Sequence, residues 1–128
     1  MPEAHALDYT VVRVVPRPER EEFINVGVIL FCRTLRFLGC RIALDEARLL
    51  ALAPDVDTEA VRGHLDLIPR ICAGGPEAGE IGALEQPERF RWLASPRSTV
   101  VQVSPVHSGL CHDPQRALDD LFEKMVAG

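Results

Sequence analysis

The sequence lacks several features that would assign it to a specialised class of protein. No apolar run approaches the roughly 18 to 20 residues that cross a bilayer, and the N-terminal stretch MPEAHALDYT has neither a basic start nor an apolar segment. The net charge of −5 argues against a dense basic face that binds nucleic-acid phosphates, although it leaves a local basic patch open. We therefore expect a cytoplasmic protein that does not bind a membrane and for which nucleic acid is an unfavoured partner.

The cysteines include no C-x-x-C pair. They stand at positions 32, 40, 72 and 111, whereas dedicated zinc sites usually take two ligands from one tight knuckle. Without a secretory signal, isolated cysteines in a cytosolic chain stay reduced, and those within apolar runs are buried as small hydrophobic side chains. The spacing therefore favours free thiols over a zinc site.

The chain does have the composition of an ordinary globular protein. It has 128 residues, of which 47% are hydrophobic and 26% charged, and a chain of this size buries roughly two-thirds of its unfolded surface without help from a metal. We predict a single domain over residues 1–128. Lys124 is the only lysine beside thirteen arginines, a bias that indicates the codon usage of a GC-rich bacterium.

Apolar periodicity predicts a block of strands, a helical middle, and a late strand and helix. Strands are expected at 8–16, 23–33, 36–44 and 99–104. Helices are expected at 46–53, from Asp57 with a kink or end near Pro69, at 87–95, and from Asp113. The segment 73–83 is predicted to be a glycine-rich loop. The fold class is α+β, a mostly antiparallel sheet of about four strands, three N-terminal and one late, packed with about four helices.

Polar side chains within the first two strands mark one candidate site. Apolar residues on both faces of the first strand predict a central position, which makes Arg13 an exception on its face. In the second strand Asn25 and Gly27 share the face of Ile29 by strict alternation, and they introduce an amide and a missing side chain among apolar neighbours. Gly27 leaves room for an approaching group, either a ligand or a side chain such as Trp92.

The stretch SPRSTVVQVSPVHSGLCHDP (95–114) holds a dense set of reactive side chains. A metal site here would use the side chains of His107, Cys111, His112 and Asp113. Because Pro105 and Gly109 predict a loop, no helical period places these ligands on one side, and Asp113 is already explained as a helix cap. We predict no metal.

The same stretch contains candidate nucleophiles. These are Ser98, Ser104 and Cys111, with His107 as the base. The sequence has no G-x-S-x-G turn or other context that would expose and strain a nucleophile, and hydrogen bonds to turn backbone explain the hydroxyls equally well. This favours a protein that is not an enzyme and uses no cofactor, with His107 as a weak catalytic candidate.

An anion site is better motivated. Arg97, Ser98 and Thr99 supply an arginine fork, hydroxyls and turn amides, and Arg13 is expected on a neighbouring strand. The alternative, which is commoner for a charge on a strand, is that Arg97 is solvated and Arg13 pairs with Glu22. Both interpretations stay open. The candidate ligand-binding residues are Arg13, Asn25, Arg97, Ser98, Thr99 and His107.

Two separated blocks of the chain resemble a known bacterial family. YTVVRVVPRPEREEFINVGVIL (9–30) and ERFRWLASPRSTVVQVSPVHSGLCHDPQRALDDLF (88–122) are similar to the domain of unknown function number 3037, and the resemblance spans nearly the whole chain. The matching residues in the first block are Arg13, Pro16, Arg20, Glu22, Phe23, Asn25 and Gly27. Those in the second block are Arg89, Phe90, Trp92, Ser95, Pro96, Arg97, Ser98, Thr99, Gln102, His107, Gly109, Asp113 and Pro114. Glu21 replaces the usual glycine, and Cys111 stands where the residue varies, which weakens a cysteine mechanism.

The resemblance implies no established activity, but it implies gene neighbours that encode HipA-like serine/threonine kinases. Our leading hypothesis is therefore a non-catalytic accessory or regulatory protein that binds a protein partner, with a HipA-like kinase as the candidate. The rival is a binder of, or an enzyme acting on, a phosphorylated small molecule or nucleotide, with the anion held by arginine and hydroxyl groups and His107 as acid or base. A nucleic-acid-binding antitoxin conflicts with the acidic charge, and self-association stays open.

Overall fold

The centre of the sheet is one long strand, β1 (His5–Val14). The computed structural model describes residues 3–96 and 100–127. The other strands are β2 (Ile24–Cys32), β3 (Phe37–Ile42), β4 (Val101–Val103) and β5 (His107–Cys111). All pairs are antiparallel, with β2 and then β3 on one side of β1, and β4 and β5 end to end along its other side. The predicted α+β class and the β2–β3 hairpin are confirmed.

β1 takes the central position because both of its faces are buried. Leu7 and Val11 point to one side and Val12 to the other, and none of them is more than 5% exposed. Thr10 is also fully buried, and its hydroxyl donates to the carbonyl of Ser104 at 2.6 Å. The polar group is thereby satisfied inside the sheet, as burial requires.

Helices cover both faces of the sheet. The side that we call the helical face carries α1 (Glu46–Leu52), α2 (Thr58–Ala73), 3₁₀ turns (Pro76–Ala83) and α3 (Gln86–Leu93). The side that we call the terminal-helix face carries α4 (Pro114–Phe122) and a π-type turn (Glu123–Ala127), which pack on β2 and β3. None of the helices in the two described ranges is both long and apolar enough to cross a bilayer.

Aspartate caps begin three of the helices, as their positions predicted. The Asp45 carboxylate accepts from the amide of Arg48, and Asp57 accepts from the amide of Ala60, each at 3.1 Å. Asp113 accepts from the first-turn amides of α4. Each cap satisfies amides that have no partner inside the helix, which fixes where the helix starts.

Of the two outcomes predicted near Pro69, a kink or an end of α2, the end does not occur there, because the helix continues to Ala73. Pro69 faces solvent. The guanidinium of Arg89 donates to the carbonyls of Ile71 and Cys72, which stabilises the last turn beyond the proline. The segment 73–83, expected as a loop, is largely wound into the 3₁₀ turns, which are interrupted at Gly79 with φ of 65°.

β5 was not predicted, because Pro105 and Gly109 indicated a loop. Pro105 falls in the gap between β4 and β5, where a missing amide costs no sheet hydrogen bond. Gly109 lies in β5 opposite Leu7, on the part of β1 that extends beyond the predicted start of that strand. The additional length of β1 therefore supplies the partner that β5 needs.

A bulge in β2 changes which face its polar residues occupy. Arg13 pairs with Asn25 and Val12 pairs with Gly27, so Val26 is an extra residue. Beyond it the alternation is reversed, which places Asn25 on the face opposite Ile29 and makes the predicted shared face wrong. A Cβ on Gly27 would lie 2.8 Å from the carbonyl oxygen of Arg41, so strand β3, rather than Trp92 or a ligand, occupies that space.

Candidate functional site

Arg13 and Asn25, the two candidates from the first block, are register neighbours on the terminal-helix face. The guanidinium carbon of Arg13 lies 4.1 Å from the ring centroid of Phe23, and the amide of Asn25 donates to the carbonyl of Met125 at 3.1 Å. Glu22 pairs with Arg20, so the suggested Arg13–Glu22 pair was wrong.

Each of these two side chains keeps one buried polar atom without a hydrogen bond. In the part of the chain that the structure describes, Arg13 Nε and Asn25 Oδ1 have no partner. Buried polar groups are nearly always satisfied by protein, water or a bound molecule. The pair is therefore a candidate site for a small polar ligand.

Arg97, Ser98 and Thr99, the core of the predicted anion site, lie outside the described residues. What the structure does place is β4, which starts shortly after them. Gln102 in β4 pairs with Arg13, so the prediction that this segment leads into a strand next to Arg13 is confirmed.

His107 lies apart from Arg13 and Asn25. It is exposed on β5 opposite Tyr9, with the two ring centroids 5.2 Å apart. Tyr9 and Arg13 are four residues apart on β1, which at ~3.3 Å per residue separates them by about 13 Å. The nearby Ser104 hydroxyl is engaged, since it accepts from the amide of Val11 and donates to the carbonyl of Pro105. Among the described residues, Ser104 is therefore not paired with His107, and Ser98 lies outside them.

Two of the four cysteine thiols, those of Cys72 and Cys111, are poorly suited to nucleophilic catalysis. Burial raises the pKa of Cys111, and the neighbouring Cys32 adds to the effect. A hydrogen bond with Cys40, together with burial, raises the pKa of Cys72. A buried thiol with a raised pKa is protonated near neutral pH and is a weak nucleophile.

The four side chains that could have formed a metal site are dispersed. His112 Nδ1 lies 3.1 Å from the carbonyl oxygen of Glu3, Asp113 caps α4, and Cys111 is buried while His107 is exposed. Within residues 3–96 and 100–127, no three His, Cys, Asp or Glu side chains are close enough to hold a metal ion.

Arg89, one of the residues that carry the family resemblance, is structural. Its guanidinium is buried and donates to the carbonyls of Leu84, Ile71 and Cys72 at 2.7 to 3.0 Å. These bonds join α3 to the end of α2. Because every acceptor is a backbone carbonyl, Arg89 holds α3 in position and does not offer a free charge to a ligand.

A groove beside α3 is a feature that the sequence did not reveal. A cavity of about 570 Å³ lies between α3 and the sheet, and a second of about 500 Å³ adjoins it at Phe31, Arg33 and Pro87. We call the two cavities together the α3 groove. Phe31 and Phe90 form its apolar floor, stacked with their ring centroids 5.3 Å apart.

Three arginines line the α3 groove with exposed side chains. They are Arg33 and Arg36, from the turn after β2, and Arg91, from α3. No ion pair involves them within the described ranges. The carboxylates that also line the groove are Asp8, which accepts from the Ser108 hydroxyl, and Glu85.

The helical layer stops short of the end of the sheet next to the groove. Val106, which lines the groove, is 45% exposed, and Leu110 on β5 is 72% exposed. Leu110 pairs with Ala6 of β1, which is also exposed. An exposed apolar area beside a cavity is typical of an interaction surface.

The groove combines segments that are distant in the sequence, so no local motif indicates it. Its lining comes from β1, the end of β2, α3 and the connection between β4 and β5. The apolar floor and the cationic border suit binding of an apolar, anionic group.

Comparisons with known proteins give one positive result. Neither the curated proteins nor the solved structures yield a significant match to the chain. The family model described as "Protein of unknown function (DUF3037)" matches residues 9–126. Since this match covers nearly the whole chain and agrees with the resemblance of its two blocks, the chain belongs to the DUF3037 family.

Proposed function

We propose that this is a non-catalytic accessory protein of the bacterial cytoplasm, and that a protein partner docks on the uncovered end of its helical face. The observation that carries the proposal is the exposure of Leu110 (72%) and Val106 (45%) next to the α3 groove. Exposed apolar side chains beside a groove are typical of a surface that an interaction covers. Contact with a partner would remove this apolar surface from water.

The free side of β5 offers a second element of recognition. Among the described strands β5 pairs with β1 alone, so its other side presents backbone amides and carbonyls. Exposed strand edges are common docking sites for extended segments of other proteins. The resemblance to the family supplies the candidate partner, a HipA-like kinase encoded by a neighbouring gene, which this protein would regulate.

The proposal is tested by co-expression with the neighbouring kinase, followed by pull-down and size-exclusion chromatography. We expect a stable complex that is weakened about tenfold or more by Leu110→Glu, the effect of removing one central apolar contact. Val106→Glu should act in the same direction. Leu50→Glu is the matched control, because Leu50 is 40% exposed on α1. Failure to form a complex, or equal affinity of all variants, would count against the proposal.

A second candidate function is binding of a phosphorylated small molecule or nucleotide next to Arg13. The buried and unpartnered atoms Arg13 Nε and Asn25 Oδ1 support it. Arg97, Ser98 and Thr99 would complete the anion site. His107 is too distant along the sheet to act there as acid or base, so this candidate is a binder rather than an enzyme.

Thermal-shift measurements with inorganic phosphate and nucleotides test this second candidate. A ligand at one hundred times its dissociation constant adds about 2.7 kcal/mol to the free energy of unfolding. We expect the gain to disappear in Arg13→Met and Arg97→Ala, and to persist in Arg48→Met. The candidate fails if no ligand stabilises the protein, or if both variants respond like the wild type.

A further inference from the structure

We infer that the α3 groove receives an acidic segment of the partner, which places one large apolar side chain on the aromatic floor and its carboxylates against Arg33, Arg36 and Arg91. This inference rests on the proposed function and specifies the partner's chemistry. The groove would bind this segment, and the exposed end of the sheet next to the groove would bind the rest of the partner.

The apolar part follows from the floor of the groove. Phe31 and Phe90 are stacked there and are 8% and 7% exposed. Ala94 and Val106 widen the apolar area around them. The cavity of about 570 Å³ lies within the roughly 300–1,000 Å³ of sites that bury ligands. A single leucine or aromatic side chain entering it would contact apolar atoms on several sides.

The acidic part follows from the charges around the groove. Arg33, Arg36 and Arg91 face two carboxylates, of which Asp8 already accepts from Ser108. The groove therefore has an excess of positive charge in a chain whose net charge is −5. A guanidinium is a planar fork that binds a carboxylate with two parallel hydrogen bonds, so it selects carboxylates by shape as well as by charge.

The groove is held in shape before any partner arrives. The side-chain amide of Gln86, at the start of α3, donates to the carbonyl of Arg36 at 2.8 Å. Arg89, one turn later, anchors α3 to the end of α2. Gln86 thus ties α3 to the turn after β2, and Arg89 fixes α3 against α2, so a bound segment would not have to order α3.

A protein segment fits these charges better than a nucleic acid does. Nucleic-acid sites neutralise a run of phosphates with a dense set of basic side chains, and an acidic chain opposes that binding. Three arginines around one apolar cavity match a short acidic sequence with one apolar anchor.

Selection from a library of random short peptides on the full chain is the direct test. We expect enriched sequences to carry Asp and Glu around one leucine or aromatic residue. Fluorescence anisotropy with a synthetic enriched peptide then gives the dissociation constant. Arg33→Glu, Arg36→Glu and Arg91→Glu together should weaken binding about tenfold or more, the combined effect of three exposed charge pairs.

The matched control reverses three other exposed arginines, Arg48, Arg70 and Arg116, which changes the net charge equally. It should retain wild-type affinity. A library without enrichment, enriched peptides without acidic residues, or equal weakening by both triple variants would overturn the inference. Competition by oligothymidine would overturn it too, in favour of nucleic acid.

The two proposals fail in different ways. If the kinase complex forms and responds to Leu110→Glu but not to the groove variant, docking stands and the acidic segment is refuted. If acidic peptides are selected while the kinase does not bind, the groove chemistry stands and that partner is refuted.

Discussion

Arginines in this chain have opposite roles that their sequence positions do not distinguish. Arg89 is buried and donates to three backbone carbonyls, whereas Arg91, two positions later, is exposed at the α3 groove. Successive helix positions point about 100° apart, so a shift of two residues moves the side chain from one side of α3 to another. The role of each arginine depends on whether its side chain points toward backbone carbonyls or toward the groove.

Glu21 is the residue-scale anomaly with the clearest energetic consequence. It ends the 3₁₀ turn Pro18–Arg20 with φ of 56° and ψ of 22°, a left-handed conformation that costs a residue with a Cβ about 1–2 kcal/mol. The family resemblance implies glycine at this position. Conformational strain explains why glycine would suit it.

Glu21→Gly should therefore stabilise the protein. The relief of strain exceeds the extra entropy of glycine in the unfolded chain, which leaves a net gain of about 0.5–1 kcal/mol in the free energy of unfolding. Urea denaturation measures it. Glu19→Gly is the control, since Glu19 has no positive φ and the change should be destabilising. A lower stability of Glu21→Gly than of the wild type would contradict the role of strain.

At the scale of elements, two glycines differ in how much space surrounds them, and this decides whether a larger residue could replace them. Gly27 in β2 lies against the β3 backbone, so close that a Cβ added there would come within 2.8 Å of the carbonyl oxygen of Arg41. Gly63 lies within α2, where an added Cβ would have no neighbour within 4 Å. The first glycine is required by packing and the second is not.

Gly27→Ala should lower the free energy of unfolding by about 1–3 kcal/mol, because β3 would have to move away. Gly63→Ala should raise it by about 0.5–1 kcal/mol, because alanine restricts the unfolded chain and favours helix. Thermal or urea unfolding of both variants checks the opposite signs. Destabilisation by both changes, or by neither, would refute this account of β2 and α2.

Local signals predicted most of the elements. Aspartate caps predicted the starts of α1, α2 and α4, and apolar residues on both faces of β1 predicted its central position. β5 was not predicted because Pro105 and Gly109 are local signals for a loop. The strand forms by pairing with a part of β1 about one hundred residues away in the sequence. The bulge at Val26 was not predicted because it shows only in the pairing of β2 with β1. Alternation along one strand does not reveal an extra residue.

At the scale of the molecule, the two faces of the sheet carry different candidate sites. Arg13 and Asn25, which were predicted from sequence, meet on the terminal-helix face, and His107 does not join them. The α3 groove lies on the helical face and was not predicted. Its lining includes Asp8, Arg33, Phe90 and Val106, which only the folded chain brings together.

The position of β1 also determines the order in which the protein can fold. His5 pairs with Cys111 and Val14 with Val101. One side of β1 therefore stays unpaired until β4 and β5 are synthesised, long after the β2–β3 hairpin. Contacts of such long sequence separation slow folding, and an unpaired strand in a nascent chain invites aggregation. Closure of this side by β4 and β5 is therefore expected to limit the folding rate, and the nascent chain is most vulnerable just before it.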